Sequence, residues 1–173
     1  GFDSGTLFGT ENAILRNVPV RSIGEGTYAY ALRNSASDFV IVNVLVQVAG
    51  SYTSGIGIFL EETAVDTRIK DCTVEISGTG SGVGIMATTN ILLDDTSIHL
   101  TSTNGGTGVN TMSGVLSNVS ITLDSPWNTI GLNISSGSTV TLSGSTIRSN
   151  GANTGYGIYN SGGSLLVDNS FIT

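Results

Sequence analysis

Cysteine, proline, tryptophan and histidine are nearly absent from this chain: its 173 residues include one Cys, two Pro, one Trp and one His. With Cys72 alone no intrachain disulfide can form, so the fold must stand on packing. Charge is scarce as well, at 11% of residues, and basic charge most of all: six Lys and Arg stand against 13 Asp and Glu, a net of −7. Such a balance has no attraction for a nucleic-acid backbone or an anionic membrane surface; it excludes nucleic acid as partner and fits a sugar or a protein better. Apolar runs are short. The longest, from Phe39 to Val48, is broken by Asn43 and Gln47, far below the roughly 20 residues that span a bilayer, so no membrane insertion is expected. Helical periodicity is missing throughout. The first residue is Gly1 and no signal peptide precedes it, the expectation for a processed chain or a piece of a longer one.

What is present is a repeat. Anchors at Asn17, Asn43, Asp71, Asp95, Asn118, Gly144 and Asn169 are separated by 26, 28, 24, 23, 26 and 25 residues. Three residues after them come Val20, Val46, Val74, Ile98, Ile121, Ile147 and Ile172. Two residues before them come Leu15, Ile41, Ile69, Leu93, Leu116, Leu142 and Val167. Ile, Leu and Val make up only about a quarter of the chain, so two wholly aliphatic columns identify a solenoid whose units bury their apolar faces against their neighbours. The whole of 1–173 reads as one domain.

Alternation inside each unit is that of strands. Phe39 and Ile41, Ile91 and Leu93, and Val140 and Leu142 alternate before the anchor, and Val74 and Ile76 flank Glu75 after it. A further strand centres on small residues at Ala29, Gly57, Gly84, Gly108, Gly131 and Gly157, and clusters such as 77–82 and 101–106 punctuate the strands. Three short strands in 23–28 residues leave no room for a crossover helix, so successive coils stack in parallel. The expectation is an all-β, single-stranded parallel β-helix of about seven coils. Asn, Asp and Gly at the anchor tolerate a left-handed backbone, and stacked Asn amides can bond along the axis.

The units 57–74, 84–98 and 157–172 resemble right-handed β-helix repeats of the pectin-lyase-like superfamily, which includes polysaccharide lyases and hydrolases, phage tailspikes and surface adhesins. The resemblance implies the right hand and a bias toward glycans; no particular reaction follows from it. Polygalacturonase-like members carry Asp residues, then Gly-His-Gly, then Arg-Ile-Lys. Arg68-Ile69-Lys70 matches the last motif, but it precedes Asp94-Asp95 and His99, Gly-His-Gly is missing, and Ile69 belongs to the aliphatic column. The plainer reading pairs Lys70 with Asp94 one coil on.

Candidate acids are few. His99 shares an outward column with Glu75 and Gln47, which offers an acid–histidine pair for general acid–base work or solvated decoration. One coil carries Glu61, Glu62, Asp66 and Asp71, and paired carboxylates are what glycoside hydrolysis requires. Asp66 falls in a turn-capping column with Asp38 and Asn90, Asp71 is an anchor, and Glu61 lines up with Arg33; Glu62 has no such structural role. Glu62, Asp66, Asp94, Asp95 and His99 are therefore the catalytic candidates. One His without a ligand cluster makes no metal site, and no cofactor is expected.

For binding, Tyr52 and Trp127 fall in inter-strand loops, where a ring stacks on a sugar or anchors a partner; Trp127 could equally fold back as a lid. Tyr28, Tyr30 and Tyr156 are expected at the core or its edge. Cys72 reads as a core filler. The glycine column either serves local backbone geometry or points outward as a smooth stripe for another chain. Thr-x-Thr stretches occur in different columns, which sets ice binding aside. Residues 1–12 are read as an irregular start able to cap the solenoid, and the last coil as uncapped, so a longer parent chain is expected. The functional expectation is a non-catalytic structural or receptor-binding segment of an extracellular, cell-surface or virion protein. Its partners would be a surface glycan or host receptor and further copies of itself, a trimer being favoured; the alternative is a polysaccharide-degrading enzyme.

Overall fold

The computed structural model describes the backbone of residues 4–173 and the side chains of residues 8–173. The chain is a parallel β-solenoid of about six turns, in which every ladder between strands is parallel. Each coil has three strand segments, giving a post-anchor, a glycine and a pre-anchor face with seven rungs apiece. Several strands run unbroken round a corner between faces, as in Pro19–Asn34, Leu45–Leu60 and Ser81–Asp94. The first strand, Ser4–Phe8, pairs with the segment around Ala29 to Asn34. Part of the stretch expected to be irregular is thus the lowest rung of the glycine face; residues 1–3 lie outside the described residues.

The anchors turn the chain as their residue types require. All seven have positive φ, from 45° at Asp95 and Asn169 to 58° at Asn17, the left-handed region where Asn, Asp and Gly are least penalised. Asn12, Asp38 and Asp66 turn the pre-anchor corner of the lower coils in the same way, with φ of 56°, 53° and 57°. The Asn43 Nδ2 donates to Asn17 Oδ1 at 2.8 Å; that amide stack ends where Asp71 takes over the column.

Both aliphatic columns face inward. From Val46 to Ile147 and from Ile41 to Leu142 their members are at most 1% exposed. Behind the anchor a hydroxyl ladder crosses the coils. The Ser145 Oγ donates to Ser143 O at 2.8 Å and accepts from Val119 N at 3.0 Å, and Ser170 Oγ repeats the device one coil on. Thr96 makes the same pair of bonds to Asp94 O and Cys72 N. Cys72 itself is buried, as expected, and burial pushes its thiol pKa up.

The glycine column differs from the sequence reading in register and direction. Ala29 pairs with Gly55 and Leu32 with Ile58, so Ala31, not Ala29, stands beneath Gly57. The column points inward: a Cβ on Gly57, Gly84, Gly108, Gly131 or Gly157 would lie 2.1–2.5 Å from the aliphatic side chain opposite it. Two consecutive residues face the core here, as Gly84 and Ile85 do, because the strand bends. The outward smooth stripe is thereby corrected.

Candidate functional site

The five catalytic candidates do not converge on one groove: Asp94 and Asp95 share Lys70, while Glu62, Asp66 and His99 each stand apart. Glu62 is exposed in the turn after Leu45–Leu60, at a shallow groove shared with Arg33, Phe59, Glu61 and Thr88. Its neighbour Glu61 is ion-paired with Arg33 one coil below, the partner expected, although the register sets Phe59 and not Glu61 directly above Arg33. Asp66 faces a second groove, of about 390 Å³, on the pre-anchor face with Asn90, Leu92, Ser113, Val115 and Thr139. This groove exists because Leu92 and Val115 stand outward, 41% and 43% exposed, with the small polar residues of the neighbouring column as its wall.

Asp94 lies one rung above Lys70 on the pre-anchor face. Lys70 Nζ is 2.9 Å from Asp94 Oδ2 and 3.5 Å from Asp95 Oδ2, and Ser117 Oγ donates to Asp94 Oδ1 at 2.7 Å. Both oxygens of Asp94 are therefore engaged. The hydrogen bond from Lys70, and after it that from Ser117, hold the Asp94 carboxyl below its ordinary range, and the same bond raises Lys70. Asp66 aligns beside Asn90, so Asp94 is four extended residues along the face, about 13 Å. That exceeds both the ~5–5.5 Å and the ~6.5–9.5 Å separations of glycosidase pairs.

His99 is on the post-anchor face in the expected column, with Glu75 and Thr122 as register neighbours. The Glu75 carboxylate accepts from Gln47 Nε2 at 2.5 Å, and among the described residues no hydrogen bond or ion pair joins it to His99. No group of three His, Cys, Asp or Glu among the described residues could hold a metal ion.

The two binding candidates part company. Trp127 is 55% exposed on the corner between the post-anchor and glycine faces, with its backbone N–H held by Ser125 Oγ at 3.1 Å. The exposed amides of Asn128 and Asn153 are joined beside it at 3.0 Å. Tyr52, expected in an open loop, is 4% exposed and belongs to the core. Its ring fills the space over Gly55 and Gly78, which carry no side chain to obstruct it. Burial pushes its phenol pKa up to about 12, and its hydroxyl has no hydrogen-bond partner.

The sequence reading also missed an outward aromatic strip. Tyr28 and Tyr156, expected at the core or its edge, are 49% and 47% exposed. Tyr28 stacks on Tyr30 at 6.3 Å, Tyr30 on Phe59 at 5.8 Å, and Arg33 lies over the Phe59 ring at 5.8 Å. Tyr156 and Tyr159 make a second pair at 5.7 Å. The signal in the sequence was the pair of consecutive inward residues, Gly57-Ile58 and its equivalents, which shifts the alternation by one position. No family model matches the chain, and no curated protein or solved structure is significantly similar to it.

Proposed function

We propose that this chain is a rigid, non-catalytic β-solenoid segment of an extracellular or virion surface protein, and that it contacts glycan through its exposed corner. The observation that carries this reading is Trp127 beside the joined amides of Asn128 and Asn153. An aromatic plate with adjacent amide donors and acceptors offers a sugar both a stacking surface and hydroxyl partners. The candidate carboxylates support it from the other side: Asp94 is committed to Lys70 and Ser117, and Asp66 turns the chain. The test is binding to an array of neutral and acidic glycans by the chain and by Trp127→Ala. A loss of tenfold or more in Trp127→Ala, with incubated polysaccharides keeping their length, is expected. Equal binding by both chains would overturn the assigned contact.

The competing reading, a polysaccharide-degrading enzyme, is favoured by the groove beside Asp66. It predicts polysaccharides that shorten with time, and shortening abolished in Asp66→Asn.

A further inference from the structure

We infer that the outer surface of the glycine face is a self-association surface that takes the same face of a second copy of this chain. The first observation is charge. Of six basic and 13 acidic residues, the strand segments of this face carry one, Arg33, which is ion-paired with Glu61 and lies over Phe59. The other two faces and the corners hold the rest of the strand and turn charges, such as Glu75, Asp94, Asp95 and Asp124. A copy approaching any of those surfaces meets an acidic molecule of net −7 with its own carboxylates. Among the described residues the strand segments of the glycine face carry no carboxylate, Glu61 and Glu62 standing at its edge beside Phe59.

The second observation is composition. The register sets Tyr28, Tyr30, Phe59, Met86, Tyr156 and Tyr159 on the outer side of this face. Tyr, Phe, Met and Arg without Lys, Asp or Glu is the mixture enriched in the buried centre of protein interfaces. The third is shape. The grooves at Asp66 and Glu62 lie on another face or at the edge of this one, and the strip between is sheet surface, which suits a broad partner better than a small ligand. Seven rungs at about 4.8 Å by six residues at about 3.3 Å give roughly 670 Å² per copy. Two copies would bury about 1,300 Å², near the lower end of the range for a specific interface. A single flat face is used up by one partner in an isologous, two-fold contact. A flat face of this kind favours a dimer over the trimer expected from the sequence, on a surface whose edge adjoins the corner at Trp127.

Sedimentation velocity over a range of concentrations tests this. The chain is expected to form dimers that strengthen as salt rises, because salt screens the repulsion between the two acidic copies. Phe59→Lys with Met86→Lys should weaken the dimer tenfold or more. A second variant does not depend on loss of association. Met86 is on the fourth of the seven rungs, so a two-fold contact brings it close to its mate, and Met86→Cys should give a disulfide-linked dimer with oxidised glutathione. Thr141→Cys, on the pre-anchor face, should not, and Cys72 is buried. A monomer at all concentrations would overturn the inference. So would an oligomer that the double lysine variant leaves intact, or equal cross-linking of both cysteine variants.

Discussion

The side chain of Ile147 occupies the place where Gly131 would carry a Cβ: a Cβ built there lies 2.1 Å from Ile147 Cγ2 and 2.4 Å from the carbonyl oxygen of Gly157. The glycine column and the aliphatic column three residues past the anchor are two halves of one packing layer. From Gly57 to Gly157 each coil places a residue without a side chain opposite one with a branched side chain.

Gly131→Ala should therefore destabilise the fold by about 1–3 kcal/mol or more, since neither the backbone carbonyl nor the locked Ile147 can yield cheaply. Gly24→Ala is the matched control, because a Cβ there meets nothing within 4 Å and its φ is not positive. It should be neutral or gain roughly 0.4–1 kcal/mol through the unfolded state. Urea denaturation of both variants measures the contrast; equal losses would refute the inward glycine column.

Ser145 tests the hydroxyl ladder. It is 2% exposed and satisfies both Val119 N and Ser143 O. Ser145→Ala leaves a buried N–H without its acceptor and should cost about 1–3 kcal/mol. Ser145→Thr keeps the hydroxyl in a column that already accommodates Thr96, and should cost clearly less by the same denaturation assay.

Tyr52 gives a prediction of opposite sign. Its buried hydroxyl has no partner, so Tyr52→Phe removes an unsatisfied polar group and should leave stability unchanged or raise it. In the wild type the folded phenol pKa of about 12 lies above the ordinary value of about 10. The unfolded state therefore releases its proton first, and stability falls as pH rises from about 10 through 12. Denaturation midpoints across that window should fall less in Tyr52→Phe than in wild type.

Lys70 and Asp94 set the acid side. The Asp94 carboxyl is held low by Lys70 and Ser117, so its contribution is present above the ordinary carboxylate pKa and fades as pH falls through the lowered folded value. Lys70 is raised, so its contribution is present below the ordinary ammonium pKa and fades as pH rises through the raised one. Lys70→Met should move the carboxyl resonance of Asp94 to a higher titration midpoint by NMR. An unchanged midpoint would mean the ion pair is not formed in solution.

Much of this was readable from periodicity alone. Asn43 over Asn17, Lys70 below Asp94 and His99 above Glu75 were each placed by counting from the anchor, and each stands in that register; Arg33 does pair with Glu61, but across a register that sets Phe59 above it. Counting works because a parallel coil maps one residue onto its equivalent in the next. It failed where alternation breaks. At the bend of the glycine strand two neighbours turn inward, so Tyr28 and Tyr156 emerged where core was expected. Tyr52 entered the core because Gly55 and Gly78 leave room for its ring, and that vacancy belongs to three dimensions.

The sequence by itself thus determined the solenoid, its anchors and its buried aliphatic columns, since those depend on residue type repeated at a fixed interval. Tertiary structure decided which small residues face the core, which aromatics reach the surface and which carboxylates share a neighbourhood. Those outcomes depend on the direction of side chains at bends, where strand period no longer dictates in from out.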